Sequence, residues 1–254
     1  MHTASVKRKI LNVTAALLLF RCLGWGAPGD NPKDLGKSEV AAIINKYVEA
    51  SASHADVLRG ASMQVDINAT VPKLKEHGRL RALRKISKVG QITYHVLGFQ
   101  GDNTVKSQVI ARYLQAEQQG QANGNLAVGP TNYKFKYKGE WPFEGKQAYL
   151  FQLSPREKRV GLFKGEIWLD ADSYLPVFEK GRFVKNPSIF FKRVIFERGF
   201  VIENGVAIPQ YVLSTIDTRV IGKVELDISY SNFEENAGPD TDESGSTLTL
   251  HARN

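Results

Sequence analysis

Gly161-Leu-Phe-Lys-Gly-Glu-Ile-Trp-Leu-Asp-Ala-Asp-Ser-Tyr-Leu-Pro-Val-Phe178 is the stretch that decides the fold. Phe163, Gly165, Ile167 and Leu169 alternate with Lys164, Glu166 and Trp168, the period-two pattern of a half-buried strand. Asp170-Ala171-Asp172-Ser173 supplies turn residues, and Leu175 to Val184 reads as the returning strand. The same grammar extends outward. Upstream, Tyr133, Phe135 and Tyr137 alternate with Lys134, Lys136 and Lys138, and Ala148 to Leu153 is mostly apolar. Downstream, Phe190 to Ile202 leads through Asn204-Gly205 into Val206 to Val220; both turn residues tolerate positive φ, a hairpin signal. Val224, Leu226, Ile228 and Tyr230 then alternate with Glu225, Asp227 and Ser229. From Asn132 onward the chain reads as an antiparallel meander.

The earlier half supplies the helices. Ser38 is a candidate cap for a helix from Glu39, with Val40, Ile43, Ile44, Tyr47 and Val48 forming one apolar stripe. Three strands follow: Ala61 to Val71, Arg79 to Lys88 and Gln91 to Gln100. In the third, Ile92, Tyr94, Val96 and Gly98 are expected to share a face. Gly101-Asp102-Asn103-Thr104 offers capping side chains to a second amphipathic helix through Val105, Val109, Ile110, Tyr113 and Leu114. Glu117 to Asn125, rich in Gln, Gly and Asn, reads as a mobile loop. The order is therefore helix, about three strands, helix, about six strands, which argues for an α+β domain on an antiparallel sheet.

Several strands carry large apolar residues on both faces. Leu150 and Phe151 are neighbours, as are Val177 and Phe178, Phe190 and Phe191, and Val194, Ile195 and Phe196, so they point oppositely. Helices can shelter one face. A strongly curved sheet wrapped on itself would shelter the other and leave a hollow; alternatively these side chains simply fill the core.

Gly161 to Gly181 resembles the late strands of LolA-type periplasmic lipoprotein carriers, the outer-membrane lipoprotein-sorting family. There a strand ends in an Asp-containing turn and a Leu-Pro pair starts the next. Phe191-Lys-Arg-Val-Ile-Phe196 and the closing strand Val224 to Phe233 fit as well, and the likeness extends over Glu39 to Phe233. The resemblance implies an open half-barrel, a strongly curved antiparallel β-sheet with helices covering its concave face. It implies acyl chains bound in the hollow and a periplasmic setting. It also implies an early-strand arginine that gates the lid, for which Arg79, Arg81 and Arg84 are the candidates. The Gln/Gly/Asn loop and an acidic tail are additions to the family pattern. From alternation and likeness together, the expected lining is Tyr133, Phe135, Tyr137, Phe151, Phe163, Ile167 and Phe178, with Val109 and Tyr113 as lid contacts.

The N-terminus bears on location. Met1 to Lys9 carries Lys7, Arg8 and Lys9 without an acid, Ile10 to Phe20 is apolar, and Gly24, Gly26 and Ala27 follow. That is the order of a secretory signal, too short to span a bilayer, which needs ~20 apolar residues. Cleavage near Gly26 gives a signal over 1–27, a flexible leader over 28–37, one domain over 38–234 and a disordered acidic tail over 235–254. Arg21 before Cys22 argues against lipid attachment. Losing the signal lowers the formal charge from +8 to +4 by removing Lys7, Arg8, Lys9 and Arg21. It also removes the single cysteine, so the exported protein is held by its core and not by disulfides.

No serine-nucleophile elbow occurs, and Gly120 and Gly124 make no phosphate-binding fingerprint. His54, His77, His95 and His251 lack ligand spacing, so no metal or cofactor is expected, and each reads as a surface or turn residue. Asp170 and Asp172 are turn-formers. Without a convergent pair or triad the reading is non-catalytic. The basic faces of Arg79 to Lys88 and Lys134 to Lys138 suit a solvated sheet or an anionic membrane surface; export makes nucleic acid an improbable partner. The expected partners are lipid or lipoprotein acyl chains and envelope transport components, and the expected state is a monomer. The alternative is an envelope interaction module with a filled core.

Overall fold

Ten strands hydrogen-bond into one antiparallel sheet in the order β3-β2-β1-β10-β9-β8-β7-β6-β5-β4. The structure, a computed structural model, describes residues 35–122, 126–186 and 188–235; the predicted signal and nearly all of the predicted acidic tail lie outside them. The strands are β1 Ser62–Val71, β2 Glu76–Ile86, β3 Ile92–Gly101, β4 Tyr133–Phe143, β5 Lys146–Pro155, β6 Phe163–Asp170, β7 Pro176–Phe183, β8 Phe191–Glu203, β9 Val206–Thr218 and β10 Lys223–Glu234. Seven strands follow the helical insertion, where about six were expected. The sheet is curved and open: β3 and β4 are its two edges.

Chain connectivity follows from that order. β10 returns to pair with β1, Ile228 opposite Ile67, which joins the first three strands to the meander. β3 and β4 are consecutive in sequence yet stand at opposite edges. The connection between them crosses the inner face, as α2 (Asn103–Val105), a π-helical turn (Lys106–Ile110) and α3 (Ala111–Ala122). Asp102 caps its start, accepting from the backbone N–H of Thr104 at 2.6 Å and Val105 at 3.1 Å. The run from Glu117 expected as a loop is helical to Ala122; its Gln and Ala residues are good helix formers and no proline interrupts it.

α1 (Lys37–Leu58) lies on the other half of the inner face. Its cap is Gly36, two residues before the expected Ser38. The Glu39 carboxylate accepts from the Gly36 N–H at 2.8 Å, the backward half of a capping box. Two apolar clusters result. One joins α2, the π turn and α3 to β1, β2, β3 and β10. The other joins Ile43 and Tyr47 of α1 to β4, β5, β6 and β8.

At the decisive stretch, Gly165 faces Gly181 across β6 and β7. A Cβ on Gly165 would stand 1.9 Å from the Lys180 carbonyl, and one on Gly181 would stand 2.6 Å from the Phe163 ring. The rings of Phe163, Phe183 and Phe196 take the vacant space, Phe196 lying 5.0 Å from Phe163 and 5.2 Å from Phe183 by centroid.

Candidate functional site: the covered inner face

The inner face is built by alternation. Tyr133, Phe151, Phe163 and Ile167 are fully buried in the α1 cluster, and Phe135 and Tyr137 are partly buried against it. Their rings form a chain: Tyr133 to Phe163 at 5.6 Å, Phe135 to Phe151 at 5.9 Å and Tyr137 to Phe151 at 5.5 Å between centroids. The Phe163 N–H donates to the Tyr133 hydroxyl at 3.2 Å, and burial pushes the Tyr133 phenol up to about 12. Six of the seven expected lining residues therefore come together.

Phe178 does not join them. A register shift between Trp168 and Leu169 puts Phe178 opposite Trp168, on the outer face, packed with Phe143 and Trp168. Its neighbour Glu179 faces inward instead, opposite Ile167. Val109 and Tyr113 are also elsewhere, in the other cluster with α3. The helix over the aromatic lining is α1. Tyr47 lies 6.2 Å from Phe135 by centroid and donates its hydroxyl to the Val128 carbonyl at 2.9 Å. Burial, with Glu179 nearby, raises the Tyr47 phenol. The apolar stripe of α1 was the sequence signal for this contact.

The expected empty hollow is occupied. Val109, Ile110 and Leu114 fill one half and Ile43 and Tyr47 the other. The outlined cavities lie away from the lining. A groove of about 410 Å³ runs on the outer face past Asn68, Ile195, Leu213 and Asp227. A cleft of about 190 Å³ opens where β9 and β10 part. Their pairing ends at Ser229 opposite Tyr211; beyond it β10 stays with β1 and β9 with β8. Met63 and Tyr230 line that cleft.

Beside Met63 lies the polar centre of the inner face. Of the three candidate arginines, Arg79 and Arg81 are exposed on the outer face, Arg79 pairing with Asp66 at 2.8 Å. Arg84 points inward. Its guanidinium meets Glu117 of α3 at 3.2 Å, and the Tyr94 hydroxyl donates to the other Glu117 oxygen at 2.5 Å. Burial is the largest influence on Arg84 and opposes its charge, but Glu117, Tyr94 and Tyr230 together outweigh it and the net shift is upward. Burial also raises the Tyr94, Tyr113 and Tyr230 phenols, so they remain neutral donors.

The second buried charge is Glu179, 5% exposed. Arg198 approaches its Oε2 at 3.4 Å, yet that oxygen receives no hydrogen bond among the described residues. Burial raises the Glu179 carboxyl and Arg198 only partly offsets it. His54, expected at the surface, is half-buried and donates to the Ala207 carbonyl at 2.8 Å, tying α1 to β9. Asp170 closes its turn by accepting from Ser173 N–H at 2.9 Å and hydroxyl at 2.8 Å. Among the described residues no group of three His, Cys, Asp or Glu is placed to hold a metal ion.

Several solved structures align with most of this chain at low identity. A DUF1329 family protein from Desulfovibrio piger aligns at TM-score 0.46 and 12% identity, covering 84% of this chain and 99% of its own. A putative outer membrane lipoprotein-sorting protein domain from Vibrio parahaemolyticus aligns at TM-score 0.40 and 10% identity, covering 78% and 94%. A LolA superfamily protein from Nitrosomonas europaea aligns at 0.37 and 14%, covering 79% and 94%. No family model and no curated protein sequence matches this chain.

Proposed function

We propose that this protein is an exported, periplasmic binder of acyl chains, of lipids or lipoproteins, which holds its guest between the aromatic inner face and helices that move aside. Binding and release need no bond chemistry. The observation that carries the reading is the Arg84–Glu117–Tyr94 cluster, set into an otherwise apolar contact between α3 and the sheet. A buried ion pair adds little net stability compared with apolar packing; its best-attested use is as a switch or register device. Here it ties down a helix that carries a π turn, a feature frequent at functional sites, and it sits beside the cleft between β9 and β10. Opening would exchange helix side chains for a guest, each buried CH₂ contributing ~0.8 kcal/mol.

The filled inner face favours a second reading, a non-catalytic envelope interaction module with a permanent core. Native mass spectrometry after mild purification, with the Phe135→Asp variant, separates the two. For a carrier we expect co-purified lipid in the wild type and loss of lipid with retained folding in the variant, because Phe135 lines a space that opens. In a permanent core the unpaired charge unfolds the protein. Lipid-free spectra from repeated preparations together with an unfolded variant would sink the carrier.

A further inference from the structure

The two ends of the sheet differ in chemistry. At one end, three turns lie side by side: Pro72 to Lys75 between β1 and β2, Ser188 to Phe190 before β8, and Arg219 to Gly222 between β9 and β10. They are in contact. A Cβ on Gly222 would stand 3.4 Å from the Lys73 side chain. Arg219 donates from Nε to the Ile189 carbonyl at 2.7 Å and from its backbone N–H to the Phe190 carbonyl at 2.9 Å.

Each turn holds a large apolar side chain outward. Ile189 is 80% exposed, Val220 75% and Leu74 42%. The display is rigid at Ile189. Its carbonyl is held by Arg219, the Phe191 N–H donates to the Ser188 carbonyl at 3.1 Å, and the Arg112 guanidinium lies 3.6 Å from the centre of the neighbouring Phe190 ring. Around these tips stand Lys73, Lys75, Lys185 and Lys192, none ion-paired among the described residues. The turns of the opposite end carry Glu144, Asp172, Glu203 and Glu235 beside two lysines, Lys88 and Lys146.

We propose that the Leu74/Ile189/Val220 end docks on an anionic lipid bilayer. Exposed apolar tips ringed by cations are the chemistry of interfacial attachment. Apolar side chains enter the headgroup boundary while each lysine gains from the negative surface potential. Neither half suffices alone, since isolated exposed apolar residues are common on soluble proteins and lysines equally suit water. Their coincidence on three adjacent turns, two of them hydrogen-bonded to each other, gives the molecule a direction. This docking does not depend on the filling of the inner face; docked this way, the cleft between β9 and β10 points away from the bilayer.

Co-sedimentation with phosphatidylglycerol/phosphatidylcholine vesicles, against pure phosphatidylcholine vesicles, tests it. The wild type should pellet with the anionic vesicles and release as salt rises. Ile189→Ser with Val220→Ser should lower the partition at least roughly tenfold. Lys73→Gln with Lys185→Gln should lower it and flatten the salt dependence. Val89→Ser, a control at the opposite end where Val89 is 79% exposed, should bind as the wild type does. Matching thermal melts confirm that each variant is folded, and comparing variants of one preparation cancels any contribution of the N-terminus. Equal pelleting of the wild type and the Ile189/Val220 variant overturns the proposal. So does loss of an envelope protein partner by that variant without any vesicle binding, which would reassign the surface to a protein.

Discussion

At the residue scale, Glu179 is the position where sequence and structure diverge most. Leu175 to Val184 was legible as a strand, because its composition and the preceding turn say so. Its facing was not, because Val177-Phe178-Glu179 presents an apolar residue to either side and a shift beside Leu169 sets which side is in. The result is a carboxyl in the α1 cluster under Tyr47, with an ion pair too poorly directed to solvate it. Its raised pKa means that the folded protein holds this proton to higher pH than the unfolded chain does. Stability therefore rises as pH falls through the folded value and is depressed once the group ionises in both states. Glu179→Gln should stabilise the protein by roughly 1–3 kcal/mol at about pH 8, the cost typical of an imperfectly paired buried group. The gain should fade toward about pH 4, where the carboxyl is protonated folded or unfolded. Thermal melts across that range check it; a variant that is less stable at every pH would show that the Arg198 pair is worth more than its burial costs.

At the element scale, both helices and the strands were readable from period and capping, Asp102 most directly. The π turn was not, because no local pattern distinguishes one extra residue in a helix that must bury both Val109 and Ile110. Nor was the bulge at Leu97. It leaves Val96 opposite Ala82 and Gly98 opposite Arg81, so Phe99 returns to the inner face in place of Gly98. Of Arg79, Arg81 and Arg84, parity turns only Arg84 inward, since only it shares the face of Leu80 and Ala82. Glu117→Gln should leave the Arg84 charge buried without a counter-ion, a change that costs roughly 3–5 kcal/mol in fully buried pairs, and less here because both partners keep some exposure. We expect amide exchange in α3 to accelerate while β5 to β9 keep their protection. Arg84→Met with Glu117→Met should restore protection and, if the protein is the proposed carrier, slow lipid uptake, because α3 is then held by apolar contact alone. Unchanged exchange in α3 of the single variant would remove the latch from the mechanism.

At the scale of the whole molecule, the unclosed sheet poses a problem that local sequence reading sees only in part. The pairing of β1 with β10 joins residues more than a hundred apart and carries no local signal, so the identity of the two edges emerged only with the structure. Once β3 and β4 are known to be the edges, features that read as incidental acquire a common cause. Each edge strand carries a bulge, at Leu97 in β3 and at Lys138 in β4, and bulges twist an edge away from further pairing. β4 adds Pro142, which lacks a backbone donor, and presents Lys134, Lys136 and Lys138 to water. Charged side chains on an edge oppose the approach of a second copy. The lysines of β4 thus guard an open edge, and the proposed bilayer contact lies at the turns. Replacing Lys134, Lys136 and Lys138 together by Val should leave the fold intact, since all three are exposed, while β4 becomes a template for pairing. Size-exclusion chromatography with light scattering should then show the wild type as a monomer and the triple variant as dimers and larger species that grow with concentration. A triple variant that stays monomeric would mean that the Lys138 bulge and Pro142 alone suffice to close the edge, and restoring regular pairing there by deleting Lys138 should release the association instead.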